Sequence, residues 1–291
     1  MPKNQGQGQQ GQQGQQWVQP DQQNVPVDLA PHALERLRAM RGGDGKRGLF
    51  TSDLSVNEFL LVQEAGFDPV GMVVGSSIYH IGYQQAYFNV SQELPVLTQA
   101  MYSARELAMA RMEAEADALG ADGIVGVRLD VGRYEWGENL AEFIAVGTAV
   151  RSHDGTSHRT KFGKPFTSDL SGQDFRTLLQ AGYRPLGLTM GTCVYHVAHQ
   201  GLGQWFKTMG RNTEMQNFTQ ALYDARELAM ERMQAEATNL DAEGIVGTQI
   251  KESSHGWDSH IIEFFAVGTA VTPIRADHEI TPPQMVLSLN G

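Results

Sequence analysis

The 291-residue sequence contains a single cysteine, Cys193. One thiol cannot form a disulfide within the chain or supply a cysteine-rich zinc site, and such a count is ordinary in a reducing cytoplasm. Long apolar runs are also missing, because no stretch approaches the roughly 18–20 apolar residues that a membrane-spanning helix needs. We therefore expect a cytoplasmic protein with no membrane span.

Positive charge is scarce as well: 22 lysines and arginines stand against 33 aspartates and glutamates, for a formal net charge of −11. Proteins that bind nucleic acid or anionic lipid do so with clustered lysine and arginine. The sequence therefore predicts no nucleic-acid partner. Its length and its 41% of hydrophobic residues instead indicate two globular domains, each with a buried core.

The N-terminal part of the chain differs in composition from the rest. Residues 1–27 consist largely of glutamine and glycine and predict a disordered segment, because they offer little apolar surface to bury. Residues 28–48 predict a short helix with Pro31 in its first turn, followed by a glycine-rich linker.

The C-terminal tail, residues 272–291, is rich in proline and ends in a short apolar, β-prone peptide. Such a peptide can add a strand to the sheet of a protein partner, or it can fold back on its own domain, and both interpretations stay open. Its candidate interface residues are Met285, Val286, Leu287 and Leu289.

The dominant feature of the sequence is an internal repeat. FTSDLS at residues 50–55 recurs at 166–171, a shift of 116 residues. ARELAMARMEAEA at 104–116 recurs as ARELAMERMQAEA at 225–237, a shift of 121 residues. The chain therefore contains the same domain twice, with a net insertion in the second copy.

The two homologous domains span residues 49–150 and 165–271, and the polar stretch 151–164 links them. Each repeat begins with a short helix, which Ser55 and Glu58 start with capping-box spacing in the first copy. A strand with one small, glycine-rich face, a long amphipathic helix and two alternating strands follow. This order predicts an α+β fold: two homologous β-α-β-β domains, each with a long helix packed on a mainly antiparallel sheet.

Three motifs occur in both repeats: the ARE-x-A run of the long helix, the helix exit LGADGIVGVRLD at 119–130 with its counterpart LDAEGIVGTQI at 240–250, and the strand ending VGTAV. With these motifs the chain resembles the YbjQ-like family, which is named for heavy-metal binding. The resemblance implies a fold similar to the dodecin subunit and assembly into homopentameric rings. It therefore predicts that the chain associates with itself, as a pentamer or a multiple of one.

The metal binding that this resemblance implies has only weak candidates in the sequence. His80 and His196 are equivalent positions of the two repeats, and His199 follows three residues later. A heavy-metal site needs several converging thiolates or imidazoles, whereas Cys193 has a serine counterpart, Ser77. These histidines could come together only at a site between subunits. A divalent metal is therefore a possible cofactor under the alternative hypothesis, and we do not expect one otherwise. A histidine that hydrogen-bonds locally at a strand end is the simpler interpretation.

Catalytic patterns are scarce. The sequence contains neither the glycine-rich phosphate-binding loop nor the nucleophile elbow of hydrolases. Glu106, Glu115 and Glu236 on the long helices are best explained as part of a solvated, salt-linked face. Glu142 and Glu263, which precede apolar strands, are best explained as exposed at a sheet edge. We therefore predict that the chain is not an enzyme.

Arg105 and Arg226 lie next to the apolar stripe of their helices, which predicts either an inter-subunit salt bridge or a surface position. Together these features favour a non-enzymatic, self-assembling structural or scaffold protein. It would form homo-oligomeric rings or larger assemblies, with its terminal segments mediating partner contacts. The alternative hypothesis is a metal- or small-ligand-binding protein with sites between subunits.

Overall fold

The computed structural model describes residues 27–42, 48–80, 90–133, 140–198, 216–253 and 260–279. Those residues form five helices and eight strands. In chain order these are α1 Pro31–Arg41, α2 Val56–Glu64, β1 Phe67–His80, β2 Gln92–Glu93, α3 Pro95–Leu119, β3 Gly123–Arg133, β4 Leu140–Ser152, β5 Phe166–Thr167, α4 Gly172–Gln180, β6 Tyr183–His196, α5 Gln216–Asn239, β7 Gly244–Ser253 and β8 Ile261–Pro273.

The strands form two four-stranded sheets. Sheet 1 has the order β1-β4-β3-β5, and sheet 2 has the order β2-β6-β8-β7. Every pairing is antiparallel except the short one between β3 and β5. Each repeat contributes a long strand, a long helix and a two-stranded hairpin, so the predicted α+β fold with two β-α-β-β units is confirmed.

The two repeats exchange short strands. β2 belongs to the first repeat but pairs with β6, placing Gln92 opposite His196 and Glu93 opposite Tyr195. β5 begins the second repeat but pairs with β3. Each sheet therefore contains a strand from the other repeat, and the two repeats are interlocked.

The helix α3 lies between the two sheets. Val73 and Ala145 of sheet 1 and Leu188 and Met190 of sheet 2 belong to one buried core around it. The helix α5 covers the opposite face of sheet 2, in a separate cluster that includes Cys193. The layers therefore follow the order sheet 1, α3, sheet 2, α5.

Local sequence sets the ends of the helices. The predicted capping box at α2 is present: Ser55 Oγ accepts the Glu58 N–H at 3.3 Å, and the Glu58 carboxylate accepts the Ser55 N–H at 2.9 Å. The helix α3 begins at Pro95 and ends before Gly120, whose φ of 68° lies in the left-handed region. Proline at the first position and glycine after the last are the common signals for these two ends.

The glycine-rich face of each long strand lies against the backbone of the long helix of the same repeat. A Cβ atom on Gly75 of β1 would lie 2.0 Å from the Ala108 carbonyl oxygen, and one on Gly191 of β6 would lie 1.8 Å from that of Ala229. Only glycine permits such a close approach. The small face of each sheet therefore packs on its own helix, which leaves the opposite face for other contacts.

The segments at the two ends of the chain are only partly described. The predicted short helix is present as α1, and its Leu37 and Met40 pack into the core around α3. Apart from Val27, the glutamine- and glycine-rich segment 1–27 lies outside the described residues. Outside them too lie the tail residues Met285, Val286, Leu287 and Leu289. Among the helices described, none has the length and apolar character needed to cross a membrane.

Candidate functional site

A buried arginine joins the two repeats. Arg105 on α3 donates to both oxygens of the Glu263 carboxylate on β8, at 2.6 and 3.2 Å, and also to Thr192 Oγ1 at 3.0 Å. Its guanidinium carbon lies 4.0 Å from the ring centroid of Phe265 and 5.4 Å from that of Phe143. Both charged side chains are buried. Because a two-point arginine–carboxylate pair fixes the orientation of its partners, this contact specifies how α3 sits on sheet 2.

Two more polar side chains of α3 bond to the second repeat. Thr98 Oγ1 accepts the Val194 N–H of β6 at 2.9 Å. The Tyr102 hydroxyl donates to the Glu236 carboxylate on α5, which also accepts the Met190 N–H at 2.6 Å. The threonine, the tyrosine and the buried arginine are spaced four and three positions apart, so they lie on one face of the helix.

The helix α5 carries the same three residue types on the corresponding face. The shift of 121 residues places Thr219, Tyr223 and Arg226 there. Tyr223 is 54% exposed, whereas its counterpart Tyr102 is 1% exposed. Thr219 and Arg226 are only partly buried, whereas their counterparts on α3 are fully buried. We call these three residues the helix half of an open interface.

Arg226 contacts the same aromatic ring of its own repeat that Arg105 contacts in the first repeat. Its guanidinium carbon lies 5.4 Å from the ring centroid of Phe264, and Phe143, the counterpart of that ring, lies at the same distance from Arg105. Within the described residues, no neighbouring sheet supplies Arg226 with the carboxylate and second ring that contact Arg105. Among the described residues, Arg226 therefore contacts rings of its own repeat only, those of Tyr223 and Phe264, whereas Arg105 also has partners on a neighbouring sheet.

The face of sheet 2 that receives α3 has an open counterpart in sheet 1. On sheet 2 the buried residues of this face include Met190, Thr192, Val194, Glu263 and Phe265. Their counterparts on sheet 1, each partly buried or exposed, are Val74, Ser76, Ile78, Glu142 and Ile144. We call this set the sheet half of the open interface. Ile78 shows the contrast best, because it is 55% exposed where Val194 is 0% exposed.

The predicted solvated face of the long helices is wrong for two of its glutamates, and a third, Glu106, is partly buried. Glu115 and Glu236 are buried, and they accept the backbone N–H groups of Val74 at 2.8 Å and Met190 at 2.6 Å. Glu263 is likewise buried rather than exposed at a sheet edge. The edge of a sheet leaves backbone N–H groups that need acceptors, and helical spacing alone does not show which glutamate lies over that edge.

The described residues do not fit a heavy-metal site. His80 lies exposed at the end of β1, and His199 lies outside the described residues. His196 is buried, with Nδ1 3.1 Å from the Val90 carbonyl oxygen. Burial raises the pKa of the Cys193 thiol to about 12, which keeps it protonated at neutral pH. In the described part of the chain, no three side chains of histidine, cysteine, aspartate or glutamate come together as metal ligands. A site shared between subunits stays a prediction.

A cavity of about 350 Å³ lies between α3, the inter-repeat linker and β6. Glu106, Glu113 and Lys164 line it, and Lys164 Nζ lies 3.2 Å from the Glu113 carboxylate. The pKa of Glu106 is raised to about 7, mainly by burial and secondly by the negative charge of Glu113, while the positive charge of Lys164 acts in the opposite direction. The pKa of Glu236 is also raised, mainly by burial and secondly by the negative charge of Glu106. These carboxyl groups therefore hold protons more tightly in the folded chain than in the unfolded chain.

We predict that Glu106→Gln makes the stability of the chain less dependent on pH. A carboxyl group whose pKa rises from 4.5 to about 7 on folding stabilises the fold fully below its unfolded pKa, and this contribution is lost as the pH rises through about 7. From about pH 5 to about pH 8, the free energy of unfolding of the unchanged protein should fall by about 2 kcal/mol. The variant should lack this fall, and urea unfolding at the two pH values measures it. Glu227→Gln, at the exposed counterpart on α5, is the control. The same pH dependence in all three proteins would contradict the assignment.

Comparison with known proteins supports the two-repeat architecture. A family described as "Putative heavy-metal-binding", the YbjQ family, matches residues 70–153 and 184–273, which are more than half of the chain. The first match runs from β1 to the end of β4, and the second runs from β6 to the end of β8. The family therefore matches each repeat separately.

Several relatives are similar to this chain in sequence. Encapsulin nanocompartment protein Rv1762c of Mycobacterium tuberculosis is 52% identical over 236 residues, 80% of this chain and 89% of that protein. A UPF0145 protein of Pseudothermotoga lettingae is 40% identical over 97 residues, 31% of this chain and 90% of that protein. Another, from Methanococcus maripaludis, is 40% identical over 87 residues, 28% of this chain and 76% of that protein. Since the family matches both repeats, the chain belongs to the YbjQ-like family as a tandem member.

Proposed function

We propose that this chain is a non-enzymatic, self-assembling structural protein of the cytoplasm that forms homo-oligomeric rings or larger assemblies. One observation carries the proposal: the residue types of the contact between α3 and sheet 2 recur on α5 and on sheet 1, where they are partly buried or exposed. The helix half lies on α5 and the sheet half lies on sheet 1. Two halves at opposite ends of the layer order cannot meet within one chain, so copies of the chain would bring them together.

The relative named as an encapsulin nanocompartment protein supports a structural role of this kind. It is similar to the present chain across both repeats, since the alignment covers 80% of this chain. The buried charges also support such a role, because Arg105, Glu236 and Glu263 all bond to groups of the protein itself. Side chains engaged in this way hold elements together instead of facing a substrate.

The terminal segments have a role in the same proposal. The segment 1–27 and the tail 272–291 would mediate contacts between copies or with a protein partner. The apolar, β-prone peptide of the tail supports this role, since such a peptide can add a strand to a sheet edge. Deleting residues 280–291 would then weaken partner or inter-particle contacts without unfolding the repeats.

The mass of the purified chain in solution tests the proposal. Size-exclusion chromatography with light scattering, at micromolar concentration, should give a mass several times that of one chain. Electron microscopy of the same sample should then distinguish a pentameric ring, a ring with a multiple of five copies, a filament and a shell. A stable monomer at that concentration would contradict self-assembly.

A further inference from the structure

We propose that α5 of one copy packs head to tail on the open face of sheet 1 of a second copy, and that Arg226 of the first copy pairs there with Glu142 of the second. This inference rests on the proposed function, because it names the surfaces through which self-assembly occurs. The contact between α3 and sheet 2 within one chain is its template. The helix half and the sheet half would be joined as their counterparts are joined inside the chain.

The register of the sheets places the acidic partner correctly. In sheet 2, Glu263 lies opposite Val194 and pairs with Arg105. In sheet 1, Glu142 lies opposite Ile78 in the corresponding register. Glu142 therefore has the position, the residue type and the sheet face that its counterpart has. An arginine that approached sheet 1 as α3 approaches sheet 2 would meet this carboxylate.

Two further polar contacts follow from the same equivalence. Thr98 Oγ1 accepts the N–H of Val194, so Thr219 of the first copy would accept the N–H of Ile78 of the second. The Tyr102 hydroxyl donates to Glu236, so Tyr223 would donate to the matching carboxylate, Glu115. In each case the repeat preserves the residue type of the side chain that makes the contact.

The helix α1 lies beside the sheet half, and Arg36 lines one cleft together with Val74 and Ser76. Arg36 donates to the Met72 carbonyl oxygen at 2.9 Å and pairs with Glu115 through Oε2. The Val74 N–H also bonds to Oε2. The template contact uses the other oxygen, because the Tyr102 hydroxyl donates to Oε1 of its glutamate. Arg36 and an incoming tyrosine would thus approach different oxygens of one carboxylate.

Apolar surface supports the same pairing. Ile78 on the sheet half and Tyr223 on the helix half are large side chains more than half exposed, at 55% and 54%. Both have counterparts that the chain buries completely. Apolar surface grouped with complementary charge is typical of protein interfaces. Because the helix half and the sheet half differ, the contact is heterologous, and repeated copies form a ring if the rotation closes.

Charge reversal in the full-length chain tests the pairing. Arg226→Glu and Glu142→Arg each place like charges at the proposed contact, and each variant should show at least a twofold loss of mass by light scattering. The double variant Arg226→Glu/Glu142→Arg restores opposite charges and should recover the mass of the unchanged protein. Circular dichroism and urea unfolding establish that each variant is folded. Arg38→Glu and Glu243→Arg, at exposed positions outside both halves, are the controls and should keep the original mass.

A mixture of the two single variants provides a second measurement. The helix half of the Arg226→Glu variant fits the sheet half of the Glu142→Arg variant, and their unchanged halves fit each other. An equimolar mixture should therefore assemble into alternating, even-numbered complexes.

The possible results separate this inference from the proposed function. If the single variants keep the original mass, the pairing is wrong. It is also wrong if the double variant is folded and neither the double variant nor the mixture assembles. A monomeric unchanged protein would instead overturn self-assembly itself.

Discussion

Replacing Arg105 with methionine is expected to lower the free energy of unfolding by about 3–5 kcal/mol. The substitution leaves the Glu263 carboxylate buried without its charged partner, and it removes a hydrogen bond to Thr192. Methionine fills much of the arginine volume, so the expected loss comes from the stranded charge rather than from a cavity. Urea unfolding of the full-length chain measures it.

Two further variants isolate the cause of that loss. Arg176→Met removes a surface pair with Glu64 and should change stability by less than about 1 kcal/mol. Arg105→Met/Glu263→Leu removes both buried charges and should recover most of the stability, since a well-packed apolar pair can replace a buried ion pair. A loss of under about 1 kcal/mol for Arg105→Met alone would show that the buried pair does not fix α3 on sheet 2.

Gly75→Ala is expected to destabilise the chain by about 3 kcal/mol. The new Cβ would lie 2.0 Å from the Ala108 carbonyl oxygen and 2.5 Å from the Met112 nitrogen, both in the backbone of α3. A backbone contact cannot be relieved by rotating a side chain, so the helix must move. The helix α3 cannot retreat freely, because sheet 2 packs on its other side.

The repeat supplies a graded comparison for this substitution. Gly191→Ala creates a similar clash with Ala229, but α5 has no second sheet behind it in the described part of the chain and can move outwards. Its effect should therefore be smaller than that of Gly75→Ala. Gly244→Ala is the control, because its Cβ would meet nothing closer than Val271 at 3.7 Å. Urea midpoints that are equal for the substitutions at residues 75 and 244 would contradict the close-approach argument.

The elements of the fold could be predicted because their signals are local. The Ser55–Glu58 capping box lies within one helical turn, and the alternation of β1 lies within one strand. The small face of that strand can also be read from its glycines. The exchange of β2 and β5 between the sheets could not be predicted, because two-residue strands have no periodicity and their partners are far away in sequence.

The candidate site could be predicted only in part. Arg105 and Arg226 stand out in the sequence by their position beside the apolar stripe. The roles of Thr98 and Tyr102 are missed, although one signal could have found them: threonine, tyrosine and arginine recur at the same spacing in both long helices. The burial of Glu263 has no local signal, because its partner lies 158 positions away along the chain.

The sequence by itself determined that one β-α-β-β unit occurs twice, since residue type and spacing are properties of neighbouring positions. It also determined that both long helices carry ARELAM, at residues 104–109 and 225–230. Only the tertiary structure decided that these identical hexapeptides have different surroundings. In the part of the chain that the structure describes, α3 packs against a second sheet, which buries its arginine, whereas α5 has no further sheet beyond it. Burial depends on which surfaces the rest of the chain brings to a residue, and no local pattern carries that information.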